Sequence, residues 1–305
     1  MSLPLVAVVG PTGIGKSSLA IRLAEELGGE IVGADSRQIY RHLDIGTAKP
    51  TADERSRVPH HLIDLIDPSQ AFGLAEYQEL AIRTIRDIHA RGRLPLLVGG
   101  TGQYVWAVLE NWAVPKVPPD PELRRLLAEK ADKDGAEELY AELTRLNPEA
   151  ATNIDSRNVR RVIRALEVTY LGGSTPAKGP ALFANLIIGL SASRPELHRR
   201  LEVRLNEMID TGFADEVQNV LESGYSATLP AMSGIGYRQM VQYLDGKLTI
   251  AEVKESISVD NHRLVRQQYN WFKPTDERIN WSDVTSEPYP DIARLITEFL
   301  ALQSR

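Results

Sequence analysis

The chain predicts an α/β protein in which a parallel sheet is flanked by helices and interrupted by a mostly helical inserted domain. Short apolar runs of strand length alternate with helical patterns through the first third of the chain. A glycine-rich turn joins the first of these runs to a helix. After Trp112 the texture turns proline-rich and then almost wholly helical, before one more apolar run returns. Alternation of this kind is how a parallel sheet wound with helices is encoded.

The elements are arranged in order along the chain. Leu3 to Val9 is an unbroken apolar run of the buried-strand type, and Ser18 to Leu27 is amphipathic at helical period. Strands are expected at Glu30 to Gly33, His61 to Ile66 and Pro95 to Val98. Between the last two, Leu74 to Arg91 places Leu74, Tyr77, Ala81, Ile85 and Ile88 on one stripe, which marks a packing helix. Val114 to Pro121 is a proline-rich connector, the segment from there to Tyr170 is helical, and Leu171 to Pro180 is a flexible return. Leu182 to Leu190 is a strand rejoining the sheet. Helices come next at Pro195 to Asp210, Asp215 to Glu222, Tyr237 to Leu244 and Ile250 to Phe272. The expected division is therefore residues 1–114 plus 181–305 as the core, with 115–180 as a helical insertion.

With 305 residues, 43% hydrophobic and 25% charged, the chain can bury a sizeable core. It has no cysteine, which excludes a disulfide framework, a cysteine nucleophile and a cysteine-based zinc site; its six histidines show no zinc-type spacing. No stretch reaches the roughly 18 apolar residues of a membrane span, and a cytoplasmic protein is expected. The net charge of −6 argues against coating nucleic acid non-specifically, while leaving room for a localised basic patch.

Chemistry concentrates where strands end, because ligands of open parallel sheets bind outside the carboxyl ends of the strands. Gly10-Pro11-Thr12-Gly13-Ile14-Gly15-Lys16-Ser17 succeeds the first strand and opens the first helix. Glycines at 10, 13 and 15 let the backbone curl so that successive N–H groups face a polyphosphate. Lys16 adds a point charge, and the Ser17 hydroxyl is placed to hold magnesium. The arrangement is P-loop NTPase-like. It leaves the phosphate compound open, since kinases, GTPases and several transferases share such a loop.

Asp35 comes directly after Ile31-Val-Gly-Ala34 and projects from a strand end, which suits a magnesium-binding acid or general base; capping the next segment is the plain alternative. Thr101, within Gly99-Gly100-Thr101-Gly102, sits where a helix N-terminus and flanking glycines form an anion-binding concavity. There too a helix cap is the alternative. The run Leu96-Leu97-Val98 ends in glycines rather than the acid that phosphoryl transfer ordinarily uses, leaving Asp35, Asp64 and Asp67 as substitutes.

Arg157, Arg160, Arg161 and Arg164 recur at helical spacing opposite Val159, Val162, Ile163 and Leu166, a basic ridge on an apolar spine. Such a face is ordinarily solvated or paired, for example Arg164 with Glu167, but few acids interrupt this one, which favours phosphate-backbone binding. Arg263, Arg266, Asn270 and Lys273 form a second basic face beside Tyr269, Trp271 and Phe272. Gly236-Tyr237-Arg238-Gln239 carries no signal from physics alone.

Taken in order, these segments resemble the tRNA dimethylallyltransferases, or tRNA isopentenyltransferases, of the bacterial type. The matching stretches begin at Gly10, at Asp35 (Asp-Ser-Arg-Gln-Ile-Tyr-Arg), at Asp44 (Asp-Ile-Gly-Thr-Ala-Lys-Pro) and at Val58 (Val-Pro-His-His-Leu-Ile-Asp). They continue at Leu97 (Leu-Val-Gly-Gly-Thr-Gly-Gln-Tyr), Arg161 (Arg-Val-Ile-Arg-Ala-Leu-Glu-Val) and Ile235 (Ile-Gly-Tyr-Arg), covering the chain to about Phe272. Asn261 to Trp271 departs from the family's usual Thr-Arg-x-Tyr-Ala-Lys-Arg-Gln-x-Thr-Trp, with Gln267 at an arginine position. Asp155-Ser-Arg-Asn158 stands where His-Pro-Asn-Asp is usual.

The resemblance implies transfer of a dimethylallyl group from dimethylallyl diphosphate to N6 of adenosine 37, next to the tRNA anticodon, with release of diphosphate. On that reading the glycine loop holds diphosphate, which accounts for the missing strand-end acid. Asp35 takes the N6 proton or hydrogen bond, and Thr101 donates to the departing bridging oxygen. Lys16, Ser17 with magnesium, and Arg204 offset the charge. Ser36, Arg37 and Gln38 read the extruded base. The Arg160, Arg161 and Arg164 ridge grips the anticodon stem together with Arg124, and Arg238, Arg263 and Arg266 add further tRNA contacts. A monomer is the simplest expectation. A transferase acting on free adenine nucleotides, a small-molecule kinase and a non-catalytic RNA-binding module are the competing readings.

Overall fold

A computed structural model describes residues 2–115, 117–152, 154–173 and 179–303; part of the expected flexible return, residues 174–178, lies outside the described residues. The described chain divides into two compact units, residues 1–111 with 180–305, and residues 112–179.

In the first unit, β1 (Leu3–Val9), α1 (Lys16–Leu27), β2 (Gly29–Gly33), the short α2 (Ala52–Arg57), β3 (His60–His61), α3 (Leu74–Ala90), β4 (Leu94–Val98) and α4 (Gly102–Leu109) form the alternating half. The second unit comprises α5 (Pro121–Asp134), α6 (Ala136–Leu146), α7 (Pro148–Thr152) and α8 (Val159–Tyr170). The chain then returns to the first unit as β5 (Phe183–Ser191), α9 (Arg194–Asp210), α10 (Phe213–Glu222), α11 (Tyr237–Leu244), α12 (Ile250–Trp271), β6 (Ile279–Asp283) and α13 (Tyr289–Gln303).

All strand pairings are parallel, in the order β3-β2-β4-β1-β5-β6. Both faces of such a sheet must be covered, which explains why β1 and β4 read as continuous apolar runs. On one face Val6, Val8, Leu96, Val98 and Ile188 pack with Ala20 and Leu23 of α1 and Ile292 and Ile296 of α13. α3 covers β2 and β4, burying Tyr77, Ala81, Ile85 and Ile88 as its stripe predicts. Strand register positions the loops at the sheet edge: Val8 pairs with both Val98 and Ile188, and Gly33 pairs with Val98. The chain therefore leaves β1, β2 and β4 at one level, delivering Gly10, Asp35 and Gly99 to the same edge.

Two departures from the expected elements have clear causes. The strand expected at His61–Ile66 pairs with β2 only at His60 and His61, because Leu62 and Asp64 adopt left-handed backbone (φ 63° and 54°). The residues beyond bond instead to the loop after β2, with Asp64 N–H donating to Gln38 O and Leu65 N–H to Ile39 O. At the other end, Ile279–Asp283 adds a sixth strand beside β5, beyond the last expected helix, and α13 comes after it. The strand has five residues and only its first is fully buried, too little pattern for periodicity to register.

In the second unit, Leu127, Leu139, Leu143, Val162, Ile163 and Leu166 form a separate core. Arg157 precedes α8 rather than extending its basic face, and pairs with Asp155 at 2.8 Å while Asn158 caps the helix. The buried Glu167 carboxylate accepts from Arg124 Nε and Nη2 (both 2.8 Å), Arg164 Nη1 (2.5 Å) and Asp120 N–H (2.6 Å). Burial alone would raise its pKa, but the guanidinium hydrogen bonds hold it below the usual carboxylate range. Arg124 and Arg164 are thus fastened to the unit's interior, the pairing weighed for Arg164, while Arg160 and Arg161 are exposed and, among the described residues, unpaired. Glu167→Gln should lower stability by about 2–3 kcal/mol, less than for a wholly buried pair because both guanidiniums reach solvent. The loss should appear in urea unfolding at neutral pH. It should shrink as pH falls below the unfolded carboxyl pKa, where the wild type loses the same charge.

Candidate active site

The glycine loop leaves β1 with Gly10 (φ 140°), Gly13 (φ 76°) and Gly15 (φ 101°) all at positive φ, a backbone that side-chain-bearing residues rarely adopt. A methyl group on Gly10 would also lie 2.5 Å from Leu190 O. Pro11 and Ile14 are buried, so their side chains belong to the interior rather than to a ligand. Thr12 departs from expectation: its N–H donates to Gln268 Oε1 (2.8 Å) rather than into the loop. Lys16 is the first residue of α1, and its ammonium arches back to Gly10 O (3.1 Å) and Pro11 O (2.8 Å).

The charges around that ammonium do not balance. Burial, then the nearby Arg204 guanidinium of α9, push the Lys16 pKa down, Asp35 only partly offsets them, and the net result is about 8. Arg204 is lowered by burial in turn, and Asp35 and Glu207 pull it back. Two cations and the Asp35 carboxylate therefore share one poorly hydrated region at the mouth of the loop.

Asp35 and Thr101 meet there because β2 and β4 end together. Ala34 N–H donates to Val98 O (2.8 Å) and Thr101 N–H to Ala34 O (3.2 Å). Thr101 is the residue before α4, yet its hydroxyl does not cap that helix; its Oγ1 accepts from Ser36 N–H at 3.1 Å. Asp35 Oδ1 accepts from Arg37 N–H (2.8 Å) and Gln38 N–H (3.4 Å), so it caps a turn rather than a helix. Among the described residues, Oδ2 has no partner.

The loop beyond Asp35 is braced from behind. Arg37 Nη1 donates to Pro230 O (2.9 Å), and Gln38 Nε2 donates to Thr47 O (3.1 Å) and Ala48 O (2.9 Å). The donor half of Gln38 therefore holds the protein's own backbone instead of facing outward to a base. Glu216 of α10 accepts from the N–H groups of Asp44, Ile45 and Gly46 (2.7, 2.6 and 3.1 Å) and from the Tyr237 hydroxyl (2.8 Å). Lys49, buried, joins Tyr40 O, Asp44 and Asp64. The stretches from Asp44 and from Gly236, the second of which carries no physical signal in the sequence, are thus the packing partners that fix this loop. Sequence reasoning missed Glu216 and Gln268 because each acts on backbone groups far away in the chain.

The pairing also narrows the acids. Asp64 is engaged by Lys49 (2.5 Å) and Arg55 (2.8 Å), and Asp67 by Ser69 and Tyr225, so neither substitutes for a strand-end magnesium acid. Among the described residues no group of three or more potential metal ligands occurs. The Ser17 hydroxyl, exposed and unpartnered among them, fits magnesium only as one ligand beside substrate oxygens and water. Of the other basic candidates, Arg238 and Arg266 are exposed without an ion pair among the described residues, and Arg263 pairs with Asp260 (3.1 Å).

Comparison with known proteins is decisive at this point. The IPP transferase family model matches residues 38–275, and an isopentenyl transferase model matches residues 3–67. A tRNA dimethylallyltransferase of Dehalococcoides mccartyi is 46% identical over 98% of this chain and 93% of its own, and one of a Roseiflexus species is 49% identical over 89% and 90%. The chain belongs to the tRNA dimethylallyltransferase family. Among solved structures, the full-length tRNA isopentenylpyrophosphate transferase of Bacillus halodurans superposes with a TM-score of 0.73, at 37% identity over 99% of this chain and 98% of that one. A eukaryotic dimethylallyltransferase captured acting on tRNA gives 0.76 at 25% identity over 92% and 74%.

For a family whose donor is a diphosphate ester, the Lys16 environment carries a direct consequence. Lys16 must be protonated to meet a diphosphate, and its lowered pKa means that the charge is present below about 8 and lost above it. Pyrophosphate affinity measured by calorimetry should fall by about two-fold from pH 7 to 8 and more steeply above, approaching about ten-fold per unit by pH 9 to 10. Lys16→Met should flatten the profile; an unchanged affinity at pH 9.5 in the wild type would remove Lys16 from the site.

Proposed function

We propose that the protein transfers a dimethylallyl group from dimethylallyl diphosphate to N6 of adenosine 37 in tRNA, releasing diphosphate. The observation that carries this reading is the convergence of Lys16, Arg204, Asp35 and Thr101 at one sheet edge, with Asp35 the carboxylate that acts on both cations. The adenine N6 lone pair forms the new bond to the allylic carbon as the carbon–oxygen bond breaks, and those electrons leave with diphosphate. The N6 proton passes to Asp35, whose Oδ2 is the unbonded oxygen. Thr101 is held by Ser36 N–H through its oxygen lone pair, while its hydroxyl hydrogen makes only a long bond to Ser36 Oγ (3.5 Å), which it exchanges to donate to the departing bridging oxygen. Adenine N6 is a weak nucleophile and an allylic carbon tolerates positive charge, so stabilising the leaving group is the larger share of the work. Magnesium, bound with the diphosphate and held in part by Ser17, would supply further counter-charge.

The same reading assigns tRNA contact to Arg160, Arg161, Arg238, Arg263 and Arg266, while Arg124 and Arg164 contribute by shaping α8. Ser36, Arg37 and the free carbonyl of Gln38 face the extruded base. A cytoplasmic monomer completes the proposal; no helix among the described residues is long and apolar enough to cross a membrane.

Labelled dimethylallyl diphosphate with magnesium, offered separately with tRNA, AMP and ATP, tests the acceptor. Label in tRNA alone is expected; label in AMP would replace the proposal with a free-nucleotide transferase, and phosphate transfer from ATP with a kinase. Thr101→Ala should lower kcat by roughly 100- to 1000-fold. Asp35→Ala should lower it by about 100-fold or more. Both should leave tRNA affinity nearly unchanged in filter binding, and a wild-type turnover in either variant removes that residue from the mechanism. Arg160→Ala and Arg161→Ala should do the reverse, weakening tRNA binding and each reducing the salt dependence by about one unit of slope.

A further inference from the structure

The side-chain amide of Gln268 lies between two of the loops assigned to the reaction, and nothing in the proposed chemistry uses it. It sits in the last turns of α12, 7% exposed. Its Oε1 accepts from Thr12 N–H in the glycine loop (2.8 Å), and its Nε2 donates to Gly100 O (3.2 Å), one residue before Thr101. The orientation of the amide is forced, since a backbone N–H only donates and a carbonyl only accepts. No acid, lysine or hydroxyl of that length supplies one donor and one acceptor at opposite corners. Gly100 is shaped to the same contact: a methyl group there would lie 2.3 Å from Nε2. α12 itself is fixed on both sides of the amide. Thr249 and Glu252 cap its start. At its end, Trp271 packs on Gly102 and accepts from Trp106 Nε1 (2.9 Å).

We propose that Gln268 is a positioning residue which sets the spacing between the diphosphate loop and the Thr101 hydroxyl. The inference rests on the dimethylallyl-transfer reading for its catalytic consequence. Leaving-group stabilisation needs both ends of one diphosphate met at once: the phosphates by the loop and Lys16, the bridging oxygen by Thr101. The two elements leave neighbouring strands whose backbone bonding ends with Gly99 N–H donating to Val8 O (3.2 Å), below the level of Thr12 and Thr101. The amide ties one to the other from behind, on the side away from the substrate, at the cost of one loop N–H that would otherwise face the phosphates.

Gln268→Ala and Gln268→Met separate a hydrogen-bonded tie from a mere spacer, because methionine keeps the length and bulk without the amide. Both variants should lower kcat by about 10- to 100-fold, the scale of a misplacement near one ångström. Both should also weaken inorganic pyrophosphate binding in calorimetry, with tRNA affinity at the wild-type value and the melting temperature lowered by only a few degrees for the two lost hydrogen bonds. Gly100→Ala should be as damaging alone, yet add little in the Gln268→Ala background, where the clash is gone. Wild-type kcat in Gln268→Ala, recovery in Gln268→Met or full additivity with Gly100→Ala would each overturn the proposal. A Gln268→Met variant that no longer folds would overturn it too, by placing the amide in the fold. If the wild type fails to alkylate tRNA, the functional reading fails by itself, and weakened pyrophosphate binding in both variants would still report the tie.

Discussion

The site depends on positive charge held out of water beside too little negative charge. Lys16 and Arg204 stand close enough for the guanidinium to lower the ammonium's pKa, and Asp35 is the carboxylate that reaches both. In a region of low polarisability such an imbalance is costly, and an anion of high charge density relieves it. The rest of the first unit reads as the means of maintaining that condition. Parallel register brings three strand ends level, the glycine loop lets backbone and ammonium crowd together, and α9 supplies the second cation from outside the sheet.

Around this charged centre the protein uses backbone hydrogen bonds to fix its loops. Thr101 Oγ1 to Ser36 N–H joins the ends of β4 and β2, and Glu216 gathers three successive N–H groups of the 44–46 turn. Behind that turn, Phe213, Val217, Met232, Tyr237, Met240 and Ile257 form a core with Ile39 and Leu43. The helices after β5 are therefore part of the site's architecture. They give a loop that is long and polar a hydrophobic floor, which a sheet edge alone does not provide.

The parallel sheet and its opening loop were legible because their signals are local. An apolar run beside a glycine turn beside an amphipathic stretch fixes strand, loop and helix in one window. Asp35 and Thr101 were legible by position, since a residue just past a strand end must lie at the ligand-binding edge. The illegible features are long-range. The choice between Arg160 and Arg164 turns on Glu167, whose burial no helical wheel reveals, because one exposed-looking ridge contains both free and fastened guanidiniums. Likewise β6 exists because β5 offers it an edge, with Trp281 and Ile279 packing on Gly189, and not because five residues carry a strand pattern. The short pairing of β3 has the same origin, two left-handed residues selected by a loop elsewhere.

The same long-range ties bear on why this loop suits a diphosphate that departs whole. A site for phosphoryl transfer must hold the reacting phosphorus in line and commonly adds a strand-end acid for the metal. Here β4 ends in Gly99 and Gly100, Asp64 and Asp67 are bound elsewhere, and the Thr12 N–H is turned away to Gln268. Each feature removes a contact that would fix the geometry at phosphorus. None removes charge from the loop. On the proposed reading the remainder is a strong, loosely oriented attraction for the phosphates, with one directed donor, Thr101, at the end where the carbon–oxygen bond lies. That is the distribution a reaction needs when the bond that breaks is on the carbon side of the bridging oxygen and the developing charge spreads over the whole departing group.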